Sequence, residues 1–433
     1  MRRYERYKDS GVEWLGEVPS HWEISSLGKI LLSVSEKNRP DLPLLSITRE
    51  LGVIERDTED QDSNHNFIPD DLSNYKILKK GQFGMNKMKA WQGSYGVSNF
   101  TGIVSPAYYI FDFIKYINPQ FFHWAIRSKI YVSFFSSASD GVRIGQWDLS
   151  KSRMKSIPFI IPSNDEQQKI AQFLDDKTAK IDQAVDLAEK QIALLKEHKQ
   201  ILIQNAVTRG LNPDVPLKDS GVEWIGQVPE HWEVKKIKHV TSKIGSGITP
   251  LGGGSNYIDG GIPLLRSQNI HFDRIDLNDV ARISEFTHNS MKNSKVRKGD
   301  VLLNITGGSL GRCFYVDSNE EMNVNQHVCI IRPNKKINTI FLNMLLASEI
   351  GQKQIWFFQQ GGGREGLNFQ AIKNFYLPLP DLEEQQKIAI YLDKQAAKID
   401  QAIALKTAHI EKLKEYKSVL INDVVTGKVQ VSV

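Results

Sequence analysis

The sequence predicts an α+β fold: two mixed α/β domains related by a pseudo-twofold and separated by two long antiparallel helices that form a coiled-coil spacer. Three observations carry the prediction. Long stretches of the chain occur twice, two segments keep an apolar heptad, and the divergent segments between them contain short apolar runs bounded by turn residues.

The repeat fixes the organisation of all 433 residues. KDSGVEWLGEVPSHWEI at 8–24 returns as KDSGVEWIGQVPEHWEV at 218–234, with 13 of 17 positions identical. EQQKIAQFLDDKTAKIDQA at 166–184 returns as EQQKIAIYLDKQAAKIDQA at 384–402, with 14 of 19 identical. The offsets, 210 and 218, make the second intervening segment slightly longer. Between these anchors the copies diverge yet still align: KKGQFGMN (79–86) with RKGDVLLN (297–304), INPQFFHWAIRSK (117–129) with INTIFLNMLLASE (337–349), and SIPFIIP (156–162) with NFYLPLP (374–380). A retained frame with replaced surface residues implies a common scaffold that reads something variable. The boundaries that follow are a first domain over 1–163, a central helix over 164–210, a second domain over 211–381, and a C-terminal helix and tail over 382–433.

Within the domains, LPLLSIT, GIVSPAYYIF and HVCIIRP read as strands. Asn118 and Asn338 read as N-caps of helices of about ten residues, and Pro119 suits the first helical turn. The EQQKI segments differ in kind. Leu174, Ile181, Ala188, Leu195 and Leu202 recur every seven residues, and Leu392, Ile399, Lys406, Leu413 and Leu420 take the equivalent places, with no interior Pro or Gly. At 1.5 Å per residue, a helix over 164–207 would run roughly 65 Å. Such a stripe needs a partner, and two copies of matched length favour mutual packing over two plain core helices. Equivalent faces then meet through a pseudo-twofold, with the helices antiparallel.

Composition excludes more than it selects. With 40% hydrophobic and 24% charged residues the chain is an ordinary folded protein, and 55 Lys and Arg against 50 Asp and Glu name no partner. Cys313 and Cys329 lie sixteen apart with no C-x-x-C pair, so reduced, buried thiols are expected, and a zinc site is not. The N-terminal segment has no apolar signal-peptide core and no run of about eighteen apolar residues occurs, so a cytoplasmic protein with no membrane partner is expected. Neither NITGGSLGR (304–312) nor IGSGITPLGGGS (244–255) fits a phosphate loop, and no H-E-x-x-H occurs. NPQF (118–121) departs from the [DNS]-P-P-[YF] tetrapeptide of amino-methyltransferases at Gln120, and the second copy has NTIF. His21 and His231 stand in the repeated frame, where packing is the simpler role. No catalytic or metal-ligating residue is expected in the chain.

The charge is sorted locally. Residues 51–71 carry seven acids and one base, 86–155 carry nine bases and three acids, and 286–313 carry Lys292, Lys295, Arg297, Lys298 and Arg312 against Asp300. Bases interleaved with Gln, Asn, Ser, Trp and Gly suit a nucleic-acid face, in which cations neutralise phosphates and amides or arginines read base edges. A charge run is also the mark of a solvated surface. Divergence of these same segments between the copies is what two readers of two different half-sites would need.

Together, K-D-S-G-V-E-W-[LI]-G-x-V-P-x-H-W-E, the [DE]-E-Q-Q-K-I-A helix start and G-x-[FV]-x-x-N resemble the specificity subunit of type I restriction-modification systems, over essentially the whole chain and twice. The resemblance implies two target-recognition domains, each binding one half of a split double-stranded DNA sequence in the major groove. It also implies assembly with two modification (methyltransferase) subunits and, for cleavage, with restriction (endonuclease/translocase) subunits. S-adenosylmethionine, ATP and Mg would be used by those partners, and no cofactor by this chain. Half-sites on one side of B-DNA lie about one helical turn, roughly 34 Å, apart, so the length of the helix pair should govern the gap.

DNA contacts are expected from Lys87, Lys89, Trp91, Gln92, Ser94, Arg143, Gln146 and Lys151 in the first domain, and from Arg266, Gln268, Arg312 and Arg364 in the second. Arg266 and Arg364 stand among Gly, Ser or Gln, a setting for bidentate guanine contact, and GGGREG (361–366) has the freedom to approach DNA closely. Trp91 fits core packing as well. Leu174, Ile181, Leu195, Leu202, Leu392, Ile399, Leu413 and Leu420, with the Trp-rich frames, are assigned to partner binding and architecture. A non-catalytic coiled-coil scaffold with protein-binding heads is the alternative left open.

Overall fold

A computed structural model of the chain describes residues 2–57, 68–143, 146–250, 257–359 and 366–431. The chain divides into two compact units, 1–189 with 407–433, and 190–406. Each unit therefore holds one domain and a part of both long helices.

The first unit opens on the hairpin of β1 (Tyr7–Asp9) and β2 (Glu17–Pro19), with Tyr7 opposite Pro19. The intervening turn is built by short polar side chains: the Asp9 carboxylate accepts the Gly11 N–H at 2.9 Å, and the Ser10 N–H reaches the Gly16 carbonyl at 3.0 Å. β3 (Glu23–Ser26), α1 (Leu27–Ile30) and β4 (Leu31–Val34) follow, then the hairpin of β5 (Leu45–Thr48) and β6 (Gly52–Glu55). β7 (Lys76–Leu78) pairs with β10 (Gly102–Val104). The central antiparallel sheet runs β4-β11-β8-β9, with β8 (Phe83–Asn86), β9 (Tyr95–Val97) and β11 (Tyr108–Phe113). α2 (Pro119–Ile126) and α3 (Lys129–Ser137) cover it; the Asn118 side chain caps α2 by accepting the Gln120 and Phe121 N–H groups. The hairpin of β12 (Ser139–Arg143) and β13 (Gln146–Leu149), then α4 (Lys151–Ser156), lead to β14 (Pro158–Ile161), which pairs back on β3 and launches α5 (Asn164–Arg209).

The second unit repeats this frame. β15 (Leu217–Asp219) and β16 (Gln227–Pro229) form the hairpin with Leu217 opposite Pro229, and β17 (Glu233–Lys236) pairs with a strand just before the last helix. β18 (Thr241–Ser246) begins the counterpart of the central sheet, and β19 (Ile262–Leu265), β20 (Ala281–Ile283) and α6 (Glu285–Ser290) are placed between it and β21 (Val301–Asn304). With β22 (Cys313–Tyr315), β23 (Asn323–Val324) and β24 (Val328–Pro333) the sheet order is β18-β24-β21-β22, the order seen in the first unit. A three-stranded sheet β20-β19-β23 stands where the first unit has β5–β6 and β7–β10. α7 (Thr339–Ala347), capped by Asn338, α8 (Glu349–Phe357), α9 (Phe369–Lys373) and β25 (Tyr376–Leu379) lead into α10 (Leu382–Val425).

The cores keep positions but change residues. Phe83 pairs with Phe111 in the first sheet, and Val301 with Ile331 at the same place in the second; Tyr95 is matched by Cys313 and Phe159 by Leu377. At these positions aromatic side chains give way to aliphatic ones and a thiol, while Trp22 and Phe121 are retained as Trp232 and Phe341.

What is identical in sequence is what ties domain to helix. Glu166, in the first turn of α5, accepts the His21 Nε2 at 3.0 Å and the Trp22 indole N–H at 3.3 Å. Glu384 holds His231 and Trp232 at 2.9 and 3.1 Å. Next to each acid a fully buried glutamine makes the second tie: Gln167 Oε1 accepts the Asn118 N–H at 2.8 Å, and Gln385 Oε1 accepts the Asn338 N–H at 2.8 Å. The H-W and E-Q pairs of the repeat are thus a polar lock, and the packing role expected for His21 and His231 is joined by a hydrogen-bonding one.

The apolar stripes meet within each unit. In the first, Ile170, Leu174 and Ile181 of α5 share a core with Leu420, Val424 and Val425 of α10, with Leu413 packed against it, and Lys417 donates to Asp182 at 2.6 Å. In the second, Ala206 and Val207 share a core with Ile388 and Leu392, with Leu202 alongside. There Gln191 meets Lys406 at 2.5 Å and Lys199 meets Asp400 at 2.7 Å, so the helices run antiparallel. Lys406, the exception in the heptad, is accommodated because its ammonium finds the Gln191 amide oxygen. Each helix ends on a left-handed glycine, Gly210 with φ 74° and Gly427 with φ 76°. Gly427 lies against Pro19 and Trp22, so close that a Cβ would be 2.4 Å from Pro19 Cδ. Among the described residues no helix is long and apolar enough to cross a membrane.

Candidate nucleic-acid interface

In the first unit the β8–β9 loop and the β12–β13 hairpin converge. The Lys87 carbonyl accepts the Leu149 N–H at 3.2 Å, the Lys87 ammonium reaches Asp148 at 3.2 Å, and the Trp91 and Trp147 rings lie 5.1 Å apart. A single 3-10 turn, 90–92, closed by Gly93 at φ 95°, shapes this loop. It leaves Lys89 exposed and Gln92 and Trp91 half-buried, so Trp91 both packs and borders the surface. Ser94 departs from expectation: it is 2% exposed, because its carbonyl accepts the Asn86 N–H and starts the β8–β9 ladder. Lys151 donates to the Ser33 hydroxyl at 2.9 Å and lies 5.4 Å from the Tyr109 ring centre. Arg143 and Gln146 are backbone partners at the hairpin tip, and their side chains lie outside the described residues. Trp147 and Lys76, whose ammonium donates to the Tyr108 carbonyl at 2.7 Å, border the same surface and were not anticipated.

The second unit builds the same corner from other residues. The Leu367 N–H bonds to the Ile305 carbonyl at 2.8 Å, as Leu149 does to Lys87, and Thr306 bridges to Gly366. Asn304, the counterpart of Asn86, donates to the Ser267 carbonyl at 2.7 Å, which brings the Arg266–Gln268 turn to the loop. Arg266 has its guanidinium 5.7 Å from the Tyr257 ring centre, Gln268 is exposed, and Arg312 is half-buried with its carbonyl tied to the Asn304 N–H at 2.8 Å. Arg364 lies outside the described residues. A polar chain missed in the sequence completes the rim. Thr249 donates to the Gln326 amide oxygen, the Gln326 amide nitrogen meets His327 Nε2 at 3.0 Å, and His327 Nδ1 lies 2.6 Å from the Thr306 hydroxyl. With Nε2 accepting, Nδ1 carries the proton and donates to Thr306, whose own hydroxyl proton is left to point elsewhere. The sequence marked Arg266, Gln268 and Arg312 for this corner and aligned Asn86 with Asn304, but it did not single out Thr249, Thr306, Gln326 or His327.

These groups can hold and read a polyanion: ammonium ions for phosphates, amides, a hydroxyl and a guanidinium for base edges. Burial pushes the Cys313 and Cys329 thiols up to about 12, which keeps both protonated and unreactive within the sheet.

Comparison with known proteins agrees. The family model described as "Type I restriction modification DNA specificity domain" matches residues 91–196 and 229–415. The type I restriction enzyme MjaVIII specificity subunit of Methanocaldococcus jannaschii is 29% identical over 308 residues, 70% of this chain and 69% of that protein. The EcoBI specificity subunit of Escherichia coli is 29% identical over 293 residues, 65% of this chain and 60% of its own length. Two solved structures share the fold. A chain from a study of complex assembly and conformational transition of the type I R-M system superposes with a TM-score of 0.71 at 14% identity, over 95% of this chain and 99% of that one. The HsdS subunit from Thermoanaerobacter tengcongensis does so at 0.54 and 15%, over 95% and 98%. A duplicated frame, two divergent polar corners and a family match over both copies lead to one conclusion: the chain belongs to the type I restriction-modification DNA specificity family.

Proposed function

We propose that the chain is the DNA sequence-recognition subunit of a type I restriction-modification enzyme. Each domain reads one half of a bipartite target in double-stranded DNA, while the long helices set the gap and dock two modification subunits, to which restriction subunits are added for cleavage. The observation that carries this reading is the pair of polar corners: one frame, with one strand order and one set of locks, presents different side chains at the same place. A frame that keeps its locks while exchanging its loops is what recognition of two unlike half-sites requires.

The subunit itself is non-catalytic and cytoplasmic in this reading. S-adenosylmethionine, ATP and Mg act in the partner subunits, and this chain supplies address. Large aliphatic side chains left exposed on the helices favour docking of a helical partner: Leu187 (57% exposed) and Val419 (50%) in the first unit, Leu194 (63%), Ile201 (51%) and Leu405 (66%) in the second. Co-expression with the modification subunits, followed by mapping of methylated adenines, should return a two-part motif with a fixed gap. Exchange of residues 25–160 for another reader should alter one half only. A change in both halves, or no methylation dependent on the chain, would overturn the reading.

A further inference from the structure

We propose that Lys37, Lys76, Lys87 and Lys151 of the first unit form a clamp for the DNA phosphate backbone, which positions this reader on the duplex without reading its bases. The inference rests on the DNA-recognition function proposed above and divides that function between two sets of side chains.

Separate elements bring the lysines together. Lys76, at the start of β7, donates to the carbonyl of Tyr108, where β11 begins. Asn86 stands opposite Tyr108 in the sheet register, so Lys87, the next residue, flanks the same spot. Lys151 arrives from α4, held by Ser33 of β4 and lying over the ring of Tyr109. Lys37 is exposed and follows Glu36, whose carbonyl accepts the Ile77 N–H at 2.8 Å, which sets it beside Lys76.

The crowding has an electrostatic consequence. Burial first, then the charges of Lys37, Lys151 and Lys87, push the Lys76 ammonium below its ordinary value. Like charges gathered in a partly desolvated site repel, and an anion with several oxygens relieves all of them at once. A lysine ammonium is a compact charge without the planar fork that distinguishes one base edge from another, which suits phosphate rather than sequence. Asp148, 3.2 Å from the Lys87 ammonium, offsets one of these charges, whereas Lys76 donates to a backbone carbonyl, which carries no charge to offset its own.

The test uses the full chain, one target duplex, one random duplex, and affinity measured across NaCl concentrations. Lys37→Gln/Lys76→Gln should lower the slope of log K against log salt by about 1.8 and weaken binding at 0.1 M by about 60-fold relative to any difference at 1 M, equally on both duplexes. Lys37→Gln alone, at an exposed position that leaves the sheet intact, should lower the slope by about 0.9. The methylated motif should not change. An unaltered slope overturns the clamp and leaves DNA recognition standing. A loss confined to the target duplex overturns it by making these lysines base readers. An equal loss in Lys353→Gln, a residue ion-paired with Glu349 on α8, overturns it by making the effect one of net charge. A wild-type chain that binds neither duplex in a salt-dependent way fails earlier, at the recognition function itself.

Discussion

Replacing Gln167 with Leu removes an amide that is fully buried where the first domain meets α5. Its Oε1 accepts the Asn118 N–H at 2.8 Å and its Nε2 donates to the Pro162 carbonyl at 3.0 Å. Leucine has a similar volume, so little cavity forms, and the loss is the pairing of one backbone donor and one backbone acceptor. At about 1–3 kcal/mol for each stranded group the change amounts to roughly 2–6 kcal/mol. Taking about 3 kcal/mol, opening of this seam becomes about 150-fold more frequent. Hydrogen exchange followed by mass spectrometry on peptides that cover the first turn of α2 should read that acceleration. α7, whose entry is tied by Gln385 in the same way, is the internal reference, and Gln385→Leu should reverse the pattern. Unchanged exchange at the start of α2, or an equal rise at α2 and α7, would refute the lock.

The acid beside that glutamine gives a pH dependence. Burial alone would raise the Glu166 carboxyl, but hydrogen bonds from His21, Ser163 and Trp22 outweigh it and hold the group below its usual range. A depressed carboxyl contributes stability above its unfolded value, roughly 4.3, and loses it as pH falls through the lower folded value. Glu166→Gln should therefore melt below wild type at neutral pH, with the gap closing in acid; a gap that ignores pH refutes the assignment. At the helix ends, Gly210→Ala and Gly427→Ala each cost roughly 1 kcal/mol for a left-handed backbone. Gly427→Ala must also displace Pro19, whereas the nearest atom at Gly210 is Glu384 Oε1 at 3.1 Å, so Gly427→Ala should lose more in chemical denaturation. Equal losses would refute the close packing. Leu194→Glu with Ile201→Glu should change stability by no more than about 1 kcal/mol and abolish co-purification with the modification subunit. Retained association would remove these residues from the docking surface.

Local chemistry made part of this fold legible in the sequence. The Asn118 and Asn338 caps could be read because a cap joins a side chain to backbone two or three residues on. The heptads could be read because a helix repeats its own face. The repeated H-W was visible, but its meaning was not, since Glu166 lies 144 residues from Trp22 in the chain and only the fold brings them together. The basic stretch over 86–155 announced Lys87 and Lys151, whereas Lys37, in the loop after β4, and Lys76, in β7, lie outside it and only the fold brings them to the same place. Ser94 reads as a polar surface residue and is buried because the ladder begins there. Leu187 and Leu194 stand one residue before the heptad positions Ala188 and Leu195 and are exposed, since hydrophobicity sets which residues favour burial but not whether a partner within the chain covers them.

The division of the helices between units has a consequence for folding. The second unit lies within 190–406, a continuous stretch, and its core takes Ala206, Val207, Ile388 and Leu392 from the two long helices. The first unit is completed only by residues beyond 406: Leu420, Val424 and Val425 enter its core, the Tyr7 hydroxyl donates to the Gly427 carbonyl at 3.1 Å, and the Gln430 N–H bonds to the Arg2 carbonyl at 2.8 Å. Burying three such aliphatic side chains contributes roughly 5–9 kcal/mol as an upper estimate, comparable with the roughly 5–15 kcal/mol that holds a whole domain. A chain ending at 406 should therefore keep the second unit protected from hydrogen exchange and from proteolysis, while the first unit, although every strand of its sheets is present, should exchange as a loosened state. Adding a peptide of residues 407–433 should restore its protection. If the first unit stays fully protected in the shortened chain, the last helix segment is an accessory to that domain rather than part of its core.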